Sequence, residues 1–106
     1  MLTNNAEDLV FRALSDQTRR HIIRALADQP LPVHQIAKSF DLTRPAISRH
    51  LRILKEASLV AASGAGRENV YYLKTATLRE IEDWLNEIWA KRLSKLKTLV
   101  EEAPNE

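Results

Sequence analysis

Apolar residues recur along this chain at three- and four-residue intervals, give way to short β-prone runs after position 58, and return to helical spacing near the end. Leu9, Val10, Ala13 and Leu14 share one side, with Phe11 nearby, which predicts a short helix over 6–14. Ser15 or Asp16 can cap a second helix, "DQTRRHIIRALAD", whose Ile22, Ile23, Leu26 and Ala27 form the stripe to be buried. Pro30 and Pro32 forbid its continuation. A third, short helix fits "VHQIAKSF", with Val33, Ile36, Ala37 and Phe40 at i, i+3, i+4 and i+7, and Asp41 and Leu42 make the turn after it.

The segment "TRPAISRHLRILKEASLV" carries the strongest local signals. Thr43 can accept a backbone N–H as N-cap, and Pro45 falls in the first turn, where it removes no intrahelical hydrogen bond. Ile47, Leu51 and Leu54 set the buried direction, so at 100° per residue Pro45, Arg49 and Arg52 point almost opposite. Ser48 lies beside them, and Arg44 projects from the helix start. Two short helices joined by a tight turn, the second polar and cationic on its outer side, constitute a helix-turn-helix over 33–57, sized for the major groove of DNA.

After Ala57 the period changes. "LVAAS" and "NVYYLK" are short strands separated by "GAGRE", whose glycines suit a hairpin. That predicts a wing over 59–74 with Arg67 at its tip. The remainder reads as one long helix with Leu78, Ile81, Leu85, Ile88, Leu93, Leu96 and Val100 along one side, longer than so small a core can cover. The predicted fold class is mainly α with a small β-hairpin, a winged helix-turn-helix in one domain spanning 1–106.

Composition sharpens this reading. At 106 residues, 44% apolar and 28% charged, the chain has the balance of a single globular domain. The formal charge is only +2, but its distribution is uneven. Residues 43–74 hold six basic side chains against two acidic, whereas residues 1–42 are balanced at five each and residues 75–106 hold five basic against seven acidic. The basic excess thus coincides with the predicted recognition helix and wing. There is no cysteine, no apolar run long enough for a membrane span and no signal-peptide pattern at the start, so a cytoplasmic protein without membrane contact is expected.

Candidate chemistry is sparse. Ser48 and His50 face apart at i and i+2 and cannot form a nucleophile and base, and no other catalytic arrangement occurs. His50 lies at the flank of its helix, where packing or a backbone hydrogen bond competes with a phosphate contact. Thr18, Arg19 and Arg20 are expected to pair with nearby acids such as Asp16 rather than with phosphate. On the outer face, Arg44, Pro45, Ser48 and Arg49 are the candidates for base edges, arginine suiting the O6 and N7 acceptors of guanine. Arg52, Lys55 and Arg67, with His50 beside them, are the candidates for the phosphate backbone, and Arg67 also for the minor groove.

The segment "AISRHLRILKEASLV", together with "FRALSDQTRRHIIRAL" before it and the wing and long helix after it, resembles the ArsR family of winged helix-turn-helix regulators. These are small dimeric bacterial or archaeal transcription factors. Ser58 stands where similar proteins carry a glycine, a position that often needs a left-handed backbone; the exchange is expected to cost a few tenths to about 1 kcal/mol. Metal-sensing members carry Cys-Val-Cys at the start of the third helix, or His and carboxylate ligands on the last. Here Pro32-Val33-His34 occupies the first position and the last helix has no histidine, so neither a metal site nor a cofactor is expected.

The resemblance implies dimerisation through the first and last helices, 1–14 and 77–102, with Leu9, Val10, Phe11, Trp84, Leu85, Trp89 and Leu93 at the interface. It also implies a transcriptional regulator, expected to be a homodimeric repressor on double-stranded DNA at an inverted-repeat operator and associated with the nucleoid when bound. A small-molecule inducer stays open as a partner. The alternative is a winged helix kept as a protein-interaction module, which would show no salt-sensitive duplex binding.

Overall fold

A computed structural model of the chain describes residues 2–64 and 68–102. Thr3 opens helix α1 (Asn4–Leu14) by accepting the Ala6 N–H at 3.1 Å, so the helix begins two residues earlier than its apolar pattern suggests. Asp16 caps α2 (Gln17–Asp28) through the Arg19 N–H at 3.0 Å. That hydrogen bond, more than anything else, holds the Asp16 carboxyl below its usual pKa. Ile22 and Leu26 are buried along α2, Ile23 is half-buried, and Ala27, expected in the stripe, is exposed.

The arginines at the start of α2 do something the sequence reading did not anticipate. Arg19 donates from Nε to the Ala13 carbonyl at 2.7 Å and from Nη2 to the Arg12 carbonyl at 3.0 Å, and Arg20 donates from Nη1 to the Leu14 carbonyl at 2.7 Å. The last carbonyls of a helix have no intrahelical donor, and charged donors near them also meet the negative end of the helix dipole. The expected pairing of these guanidiniums with acids is therefore corrected. Arg19 meets Asp16 through its backbone N–H, while its side chain closes α1.

A two-residue strand, β1 (Leu31–Pro32), follows α2 and leads into α3 (Val33–Phe40). Asp41 then takes a left-handed conformation, φ 51°, and the Leu42 N–H returns to the Ala37 carbonyl at 3.3 Å, making the tight turn into α4 (Arg44–Glu56). At the end of α4, Ser58 has φ 59°, the Ser58 N–H reaches the Lys55 carbonyl at 2.9 Å, and the Leu59 N–H reaches the Leu54 carbonyl at 3.0 Å. This is a Schellman closure with serine in the left-handed place. The glycine-for-serine exchange noted in the sequence thus falls on a position of positive φ.

Strands β2 (Val60–Ser63) and β3 (Val70–Leu73) pair antiparallel, Val60 opposite Leu73 and Ser63 opposite Val70. β1 adds to the other side of β3, with Leu31 opposite Tyr71, giving the order β1-β3-β2. The predicted hairpin is thus the larger part of a three-stranded sheet. Pro32 is tolerated in β1 because an edge strand needs only one side of its backbone paired.

The core gathers Val10 and Ala13 of α1, Ile22 and Leu26 of α2, Ile36 of α3, Ile47, Leu51 and Leu54 of α4, and Leu59 and Val60 at the start of the sheet. Helix α5 (Thr75–Glu102) is anchored at its start, where the buried Thr77 hydroxyl donates to the Ser58 carbonyl at 2.6 Å. Leu78 and Ile81 pack on the core, and from Leu85 onward every described residue of α5 is exposed. A 28-residue helix runs about 42 Å at 1.5 Å per residue, so most of α5 projects past the domain. No helix among the described residues is long and apolar enough to cross a membrane.

Candidate nucleic-acid interface

The turn geometry of α3 and α4 determines what the recognition helix can show. Thr43 Oγ1 accepts the Ala46 N–H at 3.3 Å, and Pro45 lies in the first turn, so α4 starts where its sequence signals place it. Ile47, Leu51 and Leu54 are 0% exposed, which pins the rotation of the helix about its axis. Arg44, Pro45, Ser48, Arg49, Arg52 and Lys55 are consequently all exposed. Pro45, Ala46, Ser48, Arg49 and Arg52 line one open groove along that face. Two guanidiniums beside a small hydroxyl and a proline ring, with Arg44 exposed at the helix start, leave room for a nucleic-acid edge and supply donors to it.

The basic surface extends beyond α4. Leu9, Arg12, Arg49, Arg52, Ile53 and Glu56 line a second groove, between α1 and α4. Arg12 was not among the sequence candidates, because in its own helix it is a lone cation among apolar neighbours; only the packing of α1 against α4 brings it beside Arg49. Among the described residues, Arg12, Arg49, Arg52 and Lys55 take part in no ion pair. Arg67, expected at the wing tip, lies outside the described residues.

His50 does not join the outward face. Arg19 Nη1 lies 3.3 Å from His50 Nδ1, and Asp16 Oδ2 is 3.8 Å away. A guanidinium has only donors, so in the shorter contact it donates to the ring nitrogen, with the Asp16 carboxyl beyond hydrogen-bond length. His50 therefore ties α4 to the α1–α2 junction by a side-chain link, which neither the packing or backbone hydrogen bond nor the phosphate contact expected of it includes.

Arg44 carries a partner that sequence spacing cannot reveal. Its Nη2 donates at 2.8 Å to Oε1 of Glu68, in the loop between β2 and β3. The same oxygen accepts the His34 backbone N–H at 2.7 Å, and Oε2 meets His34 Nδ1. Pro32, the N-cap of α3, has no side-chain acceptor to offer, and the wing carboxylate fills that role across the fold. The His34 imidazole holds the Glu68 carboxyl below its usual pKa, with the His34 backbone N–H and Arg44 adding to the effect.

The expected interface residues separate into two groups. Leu9 and Phe11 are exposed, as are Leu85, Trp89 and Leu93, with Trp89 at 60%. Val10 is 1% exposed and belongs to the protomer's own core, so its place in a subunit interface is corrected: neighbours in a helix are 100° apart, and it faces away from Leu9 and Phe11. Trp84 is half-buried and meets Phe11 in a tilted aromatic contact, ring centroids 5.1 Å apart at 60°. No group of three or more His, Asp or Glu side chains among the described residues could hold a metal ion.

Comparison with known proteins agrees with this architecture. Residues 16–62 match the family described as bacterial regulatory protein, arsR family. The chain is 37% identical to the HTH-type transcriptional regulator Rv2034 of Mycobacterium tuberculosis, over 95% of this chain and 94% of that protein. It is also 37% identical to the transcriptional repressor SdpR of Bacillus subtilis, over 72% of this chain and 84% of the relative. Among solved structures, an ArsR-like transcriptional regulator from Rhodococcus sp. RHA1 superposes with a TM-score of 0.77 at 31% identity, over 94% of each chain. A Mycobacterium bovis winged helix-turn-helix domain described as homodimeric shares the fold, with a TM-score of 0.68 at 23% identity over 86% of this chain and 84% of that one. The chain belongs to the ArsR family, and is a winged helix-turn-helix transcriptional regulator.

Proposed function

We propose that this regulator is a homodimeric repressor that occludes a promoter by reading an inverted-repeat operator, one recognition helix per half-site. The observation that carries the reading is the division of α4: three residues at 0% exposure on one side and an open groove of arginines on the other. Arg44, Pro45, Ser48 and Arg49 read base edges. Arg52 and Lys55 neutralise phosphate, joined by Arg12 and, from the wing, by Arg67. His50 serves by holding α4 in place.

Dimerisation supplies what a single short helix lacks, since one α4 spans only a few base pairs and a twofold pair reads two half-sites. The apolar side of α5 beyond Leu85, with Leu9 and Phe11, is the surface for the second copy. The Mycobacterium bovis domain described as homodimeric supports a dimer, and the Bacillus subtilis relative named a transcriptional repressor supports repression. The protein would work in the cytoplasm, on the nucleoid when bound, with any small-molecule inducer acting on the dimer.

The test is salt-dependent binding to a duplex selected from a random pool. With about four phosphates engaged per protomer, log K falls against log salt with a slope of roughly −7 for the dimer. Arg49→Ala relaxes base preference by roughly 1–3 kcal/mol at the position it reads. Equal loss on selected and random duplexes would remove Arg49 from base reading, and a slope near zero would remove DNA.

A further inference from the structure

We infer that Glu68 is a specificity-determining residue of the DNA surface: from the wing loop it tethers the Arg44 guanidinium and sets a fixed negative charge beside the bases that Arg44 reads. The inference rests on the reading of α4 as the recognition helix. It goes beyond that reading by giving a role to a carboxylate, a group that should be unwelcome on a surface for a polyanion.

The geometry supports a positioning role. Glu68 is itself immobilised, because both of its oxygens are committed to His34, one to the backbone N–H and the other to the imidazole. Its side chain is only 22% exposed, whereas that of Arg44 is 61% exposed. The pair therefore joins a fixed acceptor to a mobile donor. An untethered arginine on a helix start has four side-chain dihedrals to spend on any phosphate or base within reach. With one N–H of Nη2 taken by Glu68, the end of the guanidinium is anchored at one point, and the directions open to its remaining donors are fewer than for an untethered side chain. Ordering the side chain before DNA arrives lowers the entropy lost on binding the right acceptor, as in other preorganised sites.

The charge acts in the same direction. A carboxylate near the duplex weakens binding to every sequence through repulsion of phosphate, and the loss is recovered only where Arg44 finds acceptors matching its fixed geometry. Selectivity is a difference of affinities, so a uniform penalty with a sequence-dependent recovery increases it. His34 and Arg44 are the side chains paired with Glu68, from α3 and α4; no further ion pair to it occurs among the described residues.

A double-mutant cycle on the full chain tests this. Glu68→Gln keeps an oxygen for the His34 N–H, so α3 remains capped, while removing the charge that holds Arg44. On the selected duplex and its single-base-pair variants, Glu68→Gln should cut discrimination at the Arg44 position about tenfold and raise affinity for random duplex roughly threefold. In an Arg44→Ala background the same change should leave discrimination untouched. Discrimination like the wild type in Glu68→Gln, or an equal loss in both backgrounds, overturns the inference and leaves the DNA reading standing. The absence of salt-sensitive duplex binding in the wild type overturns both. The side-chain N–H signals of Arg44 give a readout without DNA: slowed guanidinium rotation in the wild type and free rotation in Glu68→Gln are expected. Free rotation in the wild type refutes the tether even if the variant folds poorly.

Discussion

α4 and α5 both carry an apolar stripe, Ile47, Leu51 and Leu54 on one, and Leu78, Ile81, Leu85, Ile88 and Leu96 on the other. The α4 stripe is closed over entirely by the chain's own core. The α5 stripe is covered only through Ile81 and then continues in the same direction over bare helix, with Leu85 at 46% exposed, Ile88 at 49% and Leu96 at 43%. The two helices thus present opposite unmet demands. α4 leaves uncovered a face of guanidiniums, for which a polyanion is the complement. α5 leaves uncovered a face of leucine, isoleucine and tryptophan, for which a second copy of the same stripe is the complement.

Mutations of matching size on the two stripes should separate these demands, and they give the largest effects. Leu51→Ala removes a fully buried side chain and should destabilise the protomer by about 2–5 kcal/mol, independently of protein concentration. Trp89→Ala removes an exposed ring and should leave the protomer's helical content intact, while weakening association by roughly 2 kcal/mol or more per contact, counted twice about a twofold axis. Light scattering on the wild type should report about 24 kDa, twice the 12.1 kDa chain, at micromolar concentration, and an unfolding midpoint that rises with concentration. If Trp89→Ala unfolds the protomer, or the wild type stays at 12.1 kDa while binding its duplex tightly, the contrast between the stripes has no functional meaning.

The end of α4 sharpens the comparison with a smaller effect. Ser58 adopts φ 59°, which an L side chain takes at some expense, and Ser58→Gly should stabilise the fold by a few tenths to about 1 kcal/mol. Because Ser58 lies on the turn and not on the DNA face, duplex affinity should be unchanged. Thermal unfolding and binding measured on the same sample decide it. A destabilised glycine variant would mean that the Ser58 side chain, rather than its backbone, sustains the turn.

The legible parts of this fold were those whose signals are local. The start of α4 combined a cap, a first-turn proline and a three-residue stripe within twelve positions, and α3 carried its whole pattern in eight. β1 escaped because two residues, one of them a proline, have no periodicity, and their pairing with β3 depends on residues about forty positions away. Val10 shows the limit of the resemblance, which implies an interface place for Leu9, Val10 and Phe11 together, although a helix turns three consecutive residues to three directions and Val10 into the core. Arg12, Glu68 and the carbonyl contacts of Arg19 and Arg20 share another cause. Each acquires its partner from a different element, and the partners of the last two are backbone groups with no signature in the residue string.

The Asp16 cap gives a smaller effect again, visible in pH. Its folded pKa is depressed, with the Arg19 N–H as the main cause, so its contribution is fully present above the ordinary carboxylate range and is lost as pH falls through the folded value. Asp16→Asn retains an acceptor for the cap but cannot titrate. It should flatten this part of the acid limb of stability, as pH falls below the ordinary carboxylate range. An acid limb identical to the wild type would assign the limb to other carboxylates, Glu68 first among them.

The smallest expected effect is none at all, and it concerns metal. Within its family, this chain holds Pro32-Val33-His34 at the start of α3, and its last helix has no histidine. His34 is the single imidazole near that position, and its Nδ1 is already engaged by Glu68. A zinc or cadmium ion would have to break the capping contact of α3 and would gain one nitrogen and one carboxylate, short of the four ligands a structural site needs. Arsenite, which binds through thiolates, has no cysteine to meet. Equimolar zinc, cadmium or arsenite should therefore leave duplex affinity unchanged in a titration that tracks bound fraction. If stoichiometric zinc released the DNA, the site would have to include His34 and Glu68, and breaking their contact would free Arg44. The His34→Ala variant would then have to lose the response, whereas a response that survived it would move the search to His21.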